Sequence, residues 1–140
     1  MKYYVVEPEV AGGFGPKSIL NPKVRPPSVT KFHYEFDVWL GDPLLEAVGC
    51  FIVTEALKNE IQAMNATGVS FSTVEVSKSG QFEDLYPNCQ LPKFVWLKVT
   101  GQAGKNDFGL SSKDCLVVSE RIMKILEKAK MSHADISEYQ

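Results

Sequence analysis

The sequence predicts an α+β fold: a mixed or antiparallel sheet carrying two amphipathic helices, laid out as two strand–helix–strand repeats. Three observations predict it. Residues 107–130 read as a loop, a short apolar strand (115–118) and a helix whose Ile122, Ile125, Leu126 and Ala129 form one buried stripe at i, i+3, i+4, i+7. The same grammar occurs 65 residues earlier, where Phe51-Ile52-Val53-Thr54-Glu55 aligns with Leu116-Val117-Val118-Ser119-Glu120. Residues 32–40 and 69–76 alternate apolar and polar side chains with the period of half-buried strands.

Taken in order, residues 3–6 (Tyr-Tyr-Val-Val) form a short strand that Pro8 ends or places at an edge. The stretch to Ser28 is rich in Gly and Pro and reads as a surface loop anchored by Phe14, Ile19 and Leu20. A loop this long is also a plausible contact element. Along 32–40, Phe32, Tyr34, Phe36, Val38 and Leu40 share one side; His33, Glu35, Asp37 and Trp39 share the other. Gly41-Asp42-Pro43 turns the chain, and Leu44, Leu45, Ala47 and Val48 lead into an apolar strand at 50–53. Thr54 caps a helix with Leu57, Ile61 and Met64 on one stripe, and Gly68 is placed as its stop. Residues 78–93 read as a connecting loop with an aromatic-acidic cluster at 82–86, and 94–99 as the next strand. The second helix opens at Ser119, an N-cap type, with Glu120 at the positive end of its dipole and Lys124, Lys128 and Lys130 towards the negative end. A last strand covers 134–139. Val38-Trp39-Leu40 and Val95-Trp96-Leu97, 57 positions apart, read as a second repeated pair.

This divides the chain as one domain, 1–140. A strand and Gly/Pro-rich arm occupy 1–31, the first repeat 32–77, the connecting loop 78–93 and the second repeat 94–140. At 140 residues one such domain buries roughly two thirds of its unfolded surface. Apolar residues make up 44% and charged residues 23%, which argues against wholesale disorder. A net charge of -2 with interspersed signs gives no electrostatic footprint for nucleic acid. No apolar run approaches the about 18 residues that span a bilayer, and acids interrupt the N-terminal run, so a signal peptide is not expected. Three widely spaced cysteines fit reduced thiols, and the expectation is a cytoplasmic protein.

The motifs carry little chemistry. Gly12-Gly13-Phe14-Gly15-Pro16-Lys17-Ser18 resembles a phosphate loop only superficially, because Pro16 replaces the glycine that must precede the lysine and removes a donor. Cys50, Cys89, Cys115, His33 and His133 show no close ligand spacing, so neither a metal nor another cofactor is expected. Cys50 and Cys115 read as packed thiols and Cys89 as an exposed one. A thiol nucleophile would need a base, and Cys89 with His33 or His133 is the pairing to consider. Trp39 and Trp96 read as core residues, with Trp39 the alternative anchor of a partner interface.

Several segments together, Trp39-Leu40-Gly41-Asp42, Phe51-Ile52-Val53-Thr54-Glu55, Phe94-Val95-Trp96-Leu97, Asp107-Phe108-Gly109-Leu110 and Leu116-Val117-Val118-Ser119-Glu120-Arg121, carry a family likeness. They resemble the eleventh-numbered immunity-protein family of bacterial polymorphic-toxin systems, formerly a domain of unknown function, and its double-CxxCG relatives. The likeness covers roughly residues 32–139. The CxxC pairs of the double-CxxCG relatives are absent, so no metal carries over, and the resemblance implies no catalytic residue. It implies a non-enzymatic cytoplasmic protein that binds a cognate toxin domain and blocks it. Such inhibition rests on a few buried anchors, with charges steering encounter. The residues suited to that contact are Trp39, Asp42, Glu83, Asp84, Tyr86 and Asp107. A small Cys–His enzyme and a structural assembly subunit are the competing readings.

Overall fold

The computed structural model describes residues 2–21, 23–24 and 28–140. Pro22, Pro26 and Pro27 of the Gly/Pro-rich arm lie outside the described residues. The fold is α+β, with thirteen strands and three helices among the described residues. The strands are β1 (Tyr3–Glu7), β2 (Gly12–Phe14), β3 (Ile19–Asn21), β4 (Ser28–Lys31), β5 (His33–Phe36), β6 (Leu44–Ala47), β7 (Cys50–Thr54), β8 (Val69–Ser72), β9 (Glu75–Lys78), β10 (Phe94–Val99), β11 (Phe108–Leu110), β12 (Leu116–Ser119) and β13 (Asp135–Glu138). The helices are α1 (Glu55–Ala63), α2 (Gly80–Leu85) and α3 (Glu120–Lys128). Among the described residues, no helix is long and apolar enough to cross a membrane.

Two four-stranded antiparallel sheets, ordered β6-β7-β10-β8 and β11-β12-β1-β13, have the same plan. Each is a hairpin, a helix and a returning strand, with one further strand inserted between hairpin and return. The registers superimpose. Val95 faces Val53 and Leu97 faces Phe71 in one sheet; Tyr4 faces Val118 and Val6 faces Ile136 in the other. Positions 53 and 118, like 71 and 136, are 65 apart, and both inserted-strand pairs are 91 apart. Even the joints agree: Glu55 N–H donates to the Lys93 carbonyl at 2.9 Å and Glu120 N–H to the Lys2 carbonyl at 3.0 Å. Both helices are followed by a left-handed residue, Asn65 (φ 53°) and Lys130 (φ 64°).

The halves are interlocked. β1 precedes the first half in the chain but completes the second; β10 precedes the second half and completes the first. The equivalent of Val95-Trp96-Leu97 is therefore Tyr4-Val5-Val6, not Val38-Trp39-Leu40, which lies outside any strand. Gly68 is not the stop of α1, which ends earlier at the Met64 cap. Gly68 (φ 79°) sits where the halves cross, and a Cβ there would lie 2.4 Å from the Phe108 carbonyl oxygen.

Alternation along β7 and β10 separates two cores. Phe51, Val53 and Leu97 join Val6, Leu116, Val118, Leu57, Ile61, Ile122 and Leu126 under the two long helices. Ile52, Phe94 and Trp96 face the other way, against a third sheet, β2-β5-β9, where Tyr34 and Phe36 of β5 and Phe32 just before it fill an aromatic layer. The arm expected as loop thus supplies strands β2 to β4. Within it Ile19 is exposed rather than anchoring, and Phe14 packs on Phe32 at 5.4 Å between ring centroids. The strand expected over 32–40 stops at Phe36, leaving Leu40 exposed.

The connecting loop expected at 78–93 contains the end of β9 and helix α2. Ser79 caps α2 by accepting Phe82 N–H at 3.2 Å, and Phe82 is fully buried against Phe36.

Candidate functional site

Two of the acids expected at a partner surface are internal clamps. Asp107 precedes β11 and is only 7% exposed. Its Oδ1 accepts from Ser119 Oγ at 2.7 Å and Arg121 Nε at 2.9 Å; its Oδ2 accepts from Arg121 Nη2 at 2.6 Å and Thr67 N–H at 2.9 Å. Arg121 also donates from Nη1 to the Met64 carbonyl at 3.2 Å. The Arg121 guanidinium, with the Ser119 and Thr67 donors, holds the Asp107 carboxyl well below the usual range against the opposing effect of burial. Ser119 occupies the N-cap position of α3, but its hydroxyl serves Asp107 and makes no cap bond. Thr54 at the equivalent position does cap, accepting Leu57 N–H at 3.2 Å.

Asp42 precedes β6 and is 1% exposed. Its Oδ2 accepts His133 N–H at 2.9 Å, and its Oδ1 lies 3.1 Å from His133 Nδ1. Asp42 takes its donor from the segment after α3, and Asp107 takes Thr67 N–H from the segment after α1. Each acid therefore begins one half's hairpin and fastens the other half's post-helix turn. Neither carboxylate is free to meet a partner, which corrects the surface role expected for Asp42 and Asp107. An acid in a Gly- or Asn-containing turn reads as solvated from sequence, and only the packing of the two halves reveals it as buried.

Glu9, which the sequence did not single out, completes the Asp42 cluster. Its Oε2 accepts Leu40 N–H at 2.7 Å and its Oε1 accepts Asp42 N–H at 3.3 Å. Glu9, Asp42 and His133 each bring one possible ligand atom to within 4.8 Å of the others. By donor type this set suits a divalent cation. All four carboxylate oxygens already accept from N–H groups, however, and that bonding accounts for the geometry.

The thiols and imidazoles are placed for structure. His33 is buried, and its Nδ1 accepts Lys17 N–H at 3.2 Å. That fixes the proton of the neutral ring on Nε2, which donates to Ser77 Oγ at 2.6 Å, so His33 offers Ser77 no base. His133 directs its Nδ1 at Asp42, and among the described hydrogen bonds neither histidine meets Cys89. Cys89 is half-buried against the aromatic core, not exposed as expected, and its carbonyl accepts from Lys78 Nζ. Burial, and next Glu46, push the Cys50 thiol up to about 11, which disfavours a thiolate. Cys115 is half-buried at the start of β12, with Sγ 3.8 Å from Glu7.

The remaining expected contact residues divide between core and surface. Trp39 is half-buried beside Phe36 and Phe94, and its indole N–H donates to the Asp42 carbonyl at 3.0 Å. Glu83 and Asp84 are exposed on α2, and Tyr86 is half-buried on Phe82 at 4.9 Å. Trp96 is a core residue with Lys98 over its ring.

Sequence reasoning missed the most exposed large hydrophobic side chain among the described residues. Val48 is 70% exposed at the tip of the β6–β7 hairpin, with φ 38°. Ala47 faces Cys50 across a two-residue loop, and Gly49 follows with φ 79°, the pattern of a type I′ turn. A β-branched residue at positive φ is a genuine outlier. Val10 and Leu40 are also exposed, at 62% and 56%. Both attach to Glu9: Val10 follows it in the chain, and Leu40 N–H donates to its carboxylate. Glu9 in turn accepts Glu46 N–H at its carbonyl, and Glu46 accepts Gly49 N–H, which ties this group to the Val48 turn. No protein-family model matches the chain, and no curated protein matches it.

Proposed function

We propose that the chain is a non-enzymatic cytoplasmic immunity protein that neutralises a toxin domain by docking on it, the function implied by its family resemblance. The observation that carries the reading is Val48: an apolar, β-branched residue held exposed at a left-handed turn position. Strain of this kind costs on the order of 1 kcal/mol or more and concentrates at contact and switch sites. Asparagine is the ordinary choice for that position in a type I′ turn. A valine at this position sacrifices stability for an exposed apolar tip. Trp39 underlies Leu40 as its chain neighbour, and the exposed Glu83 and Asp84 supply negative charge that steers a basic toxin.

The test separates stability from binding. Val48→Asn is expected to raise unfolding free energy by about 1 kcal/mol, because asparagine tolerates positive φ. The same variant is expected to weaken binding to an inactivated toxin domain encoded in the adjacent reading frame by about tenfold, as titration calorimetry would read. Unchanged affinity would remove the hairpin tip from the interface. No complex with the wild-type chain would remove the immunity reading.

A further inference from the structure

A second docking element lies on the aromatic side of the molecule. Strand β9 is the outer strand of its sheet and, among the described strands, pairs only with β5, in parallel. Glu75 N–H donates to the Phe32 carbonyl at 3.0 Å and Ser79 N–H to the Phe36 carbonyl at 2.9 Å, so the odd positions are those joined to β5. Successive peptide groups along a strand point to opposite edges. Val74, Val76 and Lys78 therefore turn their N–H and C=O groups to the outside, where no described residue pairs with them.

A groove of about 540 Å³ runs along this edge. Val74, Val76, Leu91 and Phe94 supply its apolar lining, and Lys78, Lys93 and Glu83 are the charged groups on it. Of these, Lys78 is the cation left for an incoming acid. Lys93 is already paired with Glu55 at 3.2 Å; Lys78 donates to a carbonyl and has no carboxylate partner among the described ion pairs. Unpaired edge groups bind an extended chain through its backbone, and alternate side chains give specificity.

We infer that the outer edge of β9 binds an extended strand of a partner protein, with an apolar side chain entering between Val76 and Leu91 and an acidic one, two residues away, meeting Lys78. Residues two apart on a strand share a face, which sets that spacing. This goes beyond the Val48 face and does not involve it.

Panning a phage-displayed library of random peptides against the intact chain tests the inference. The expected product is a set of peptides with the pattern apolar–x–acidic. In complex with the tightest of them, amide exchange at Val76 and Lys78 should slow by about tenfold or more, while Ser77, already in the ladder, changes little. Val76→Pro removes one outward N–H, a change edge strands tolerate on their free side, and should weaken binding by about tenfold. Leu91→Lys obstructs the groove without touching the ladder and should have the same effect, which keeps the test decisive if the proline variant does not fold. Val48→Asn should leave peptide affinity unchanged, so failure here is distinct from failure of the immunity reading. Recovery of no peptide, or of peptides that leave exchange at Val76 and Lys78 unaltered, would overturn the inference.

Discussion

Replacing Asp107 with alanine is expected to destabilise the chain by about 3 kcal/mol, because one buried carboxylate satisfies donors from two separate segments, the start of α3 and the turn after α1. Ser119 Oγ, Arg121 and Thr67 N–H would all lose their acceptor. Arg121 is 42% exposed in its side chain and can turn to water, which holds the cost near the lower end for a broken buried pair. For a domain of this length that corresponds to a fall in Tm of about 10 °C. Amide exchange should rise most at Thr67 and the first turn of α3, the two places the carboxylate joins. A Tm within about 2 °C of wild type would show that the clamp contributes little.

The same carboxylate makes stability depend on acid. Its folded-state pKa is depressed below the ordinary aspartate value, first by the Arg121 hydrogen bonds. The unfolded chain therefore takes up the proton more readily than the folded one. The resulting stabilisation is full above an unfolded-state pKa of about 3.9 and is lost as pH falls from there towards the folded value. Asp107→Asn should flatten this part of the stability profile while leaving the neutral-pH fold intact. Denaturant unfolding of both proteins at a series of acidic pH values would measure it, and parallel profiles would refute the assignment.

The interlocked halves explain what could be read from residues and what could not. β7, β12, α1 and α3 are short-range objects: apolar runs and 3.6-residue stripes with polar caps, so they stand out locally. Their offset of 65 was visible for the same reason. The exchange of β1 and β10 was not, because Tyr4-Val5-Val6 and Val95-Trp96-Leu97 share only apolar character, and their equivalence lies in pairing register. Asp42 and Asp107 stand out in the sequence but read as partner contacts, since only the contact between halves buries them. Ser119 looked like a cap, and a neighbour distant in sequence took its hydroxyl. β2 to β4 sit among glycines and prolines whose local preference is for turns. Val48 reads from the sequence only as part of the apolar run into β7, because strain appears only once the hairpin loop length is known.

Helix α2 was obscured by its length. Six residues form no stable helix alone, so tertiary anchoring must hold it. Phe82 is that anchor: fully buried, 6.0 Å from Phe36 and 4.9 Å from Tyr86 between ring centroids, with Lys78 over its face. Phe82→Ala is expected to cost about 3–5 kcal/mol, from lost transfer energy and the cavity left in the aromatic core. Leu85, three residues on in the same helix, is 55% exposed. Leu85→Ala should change stability by no more than about 0.5 kcal/mol, since alanine keeps the helix and little area leaves water. The contrast removes helix propensity as an explanation, because both substitutions introduce the same good helix former. Chemical denaturation of the two variants beside wild type decides it: comparable midpoints would mean that α2 is held by something other than the Phe82 ring.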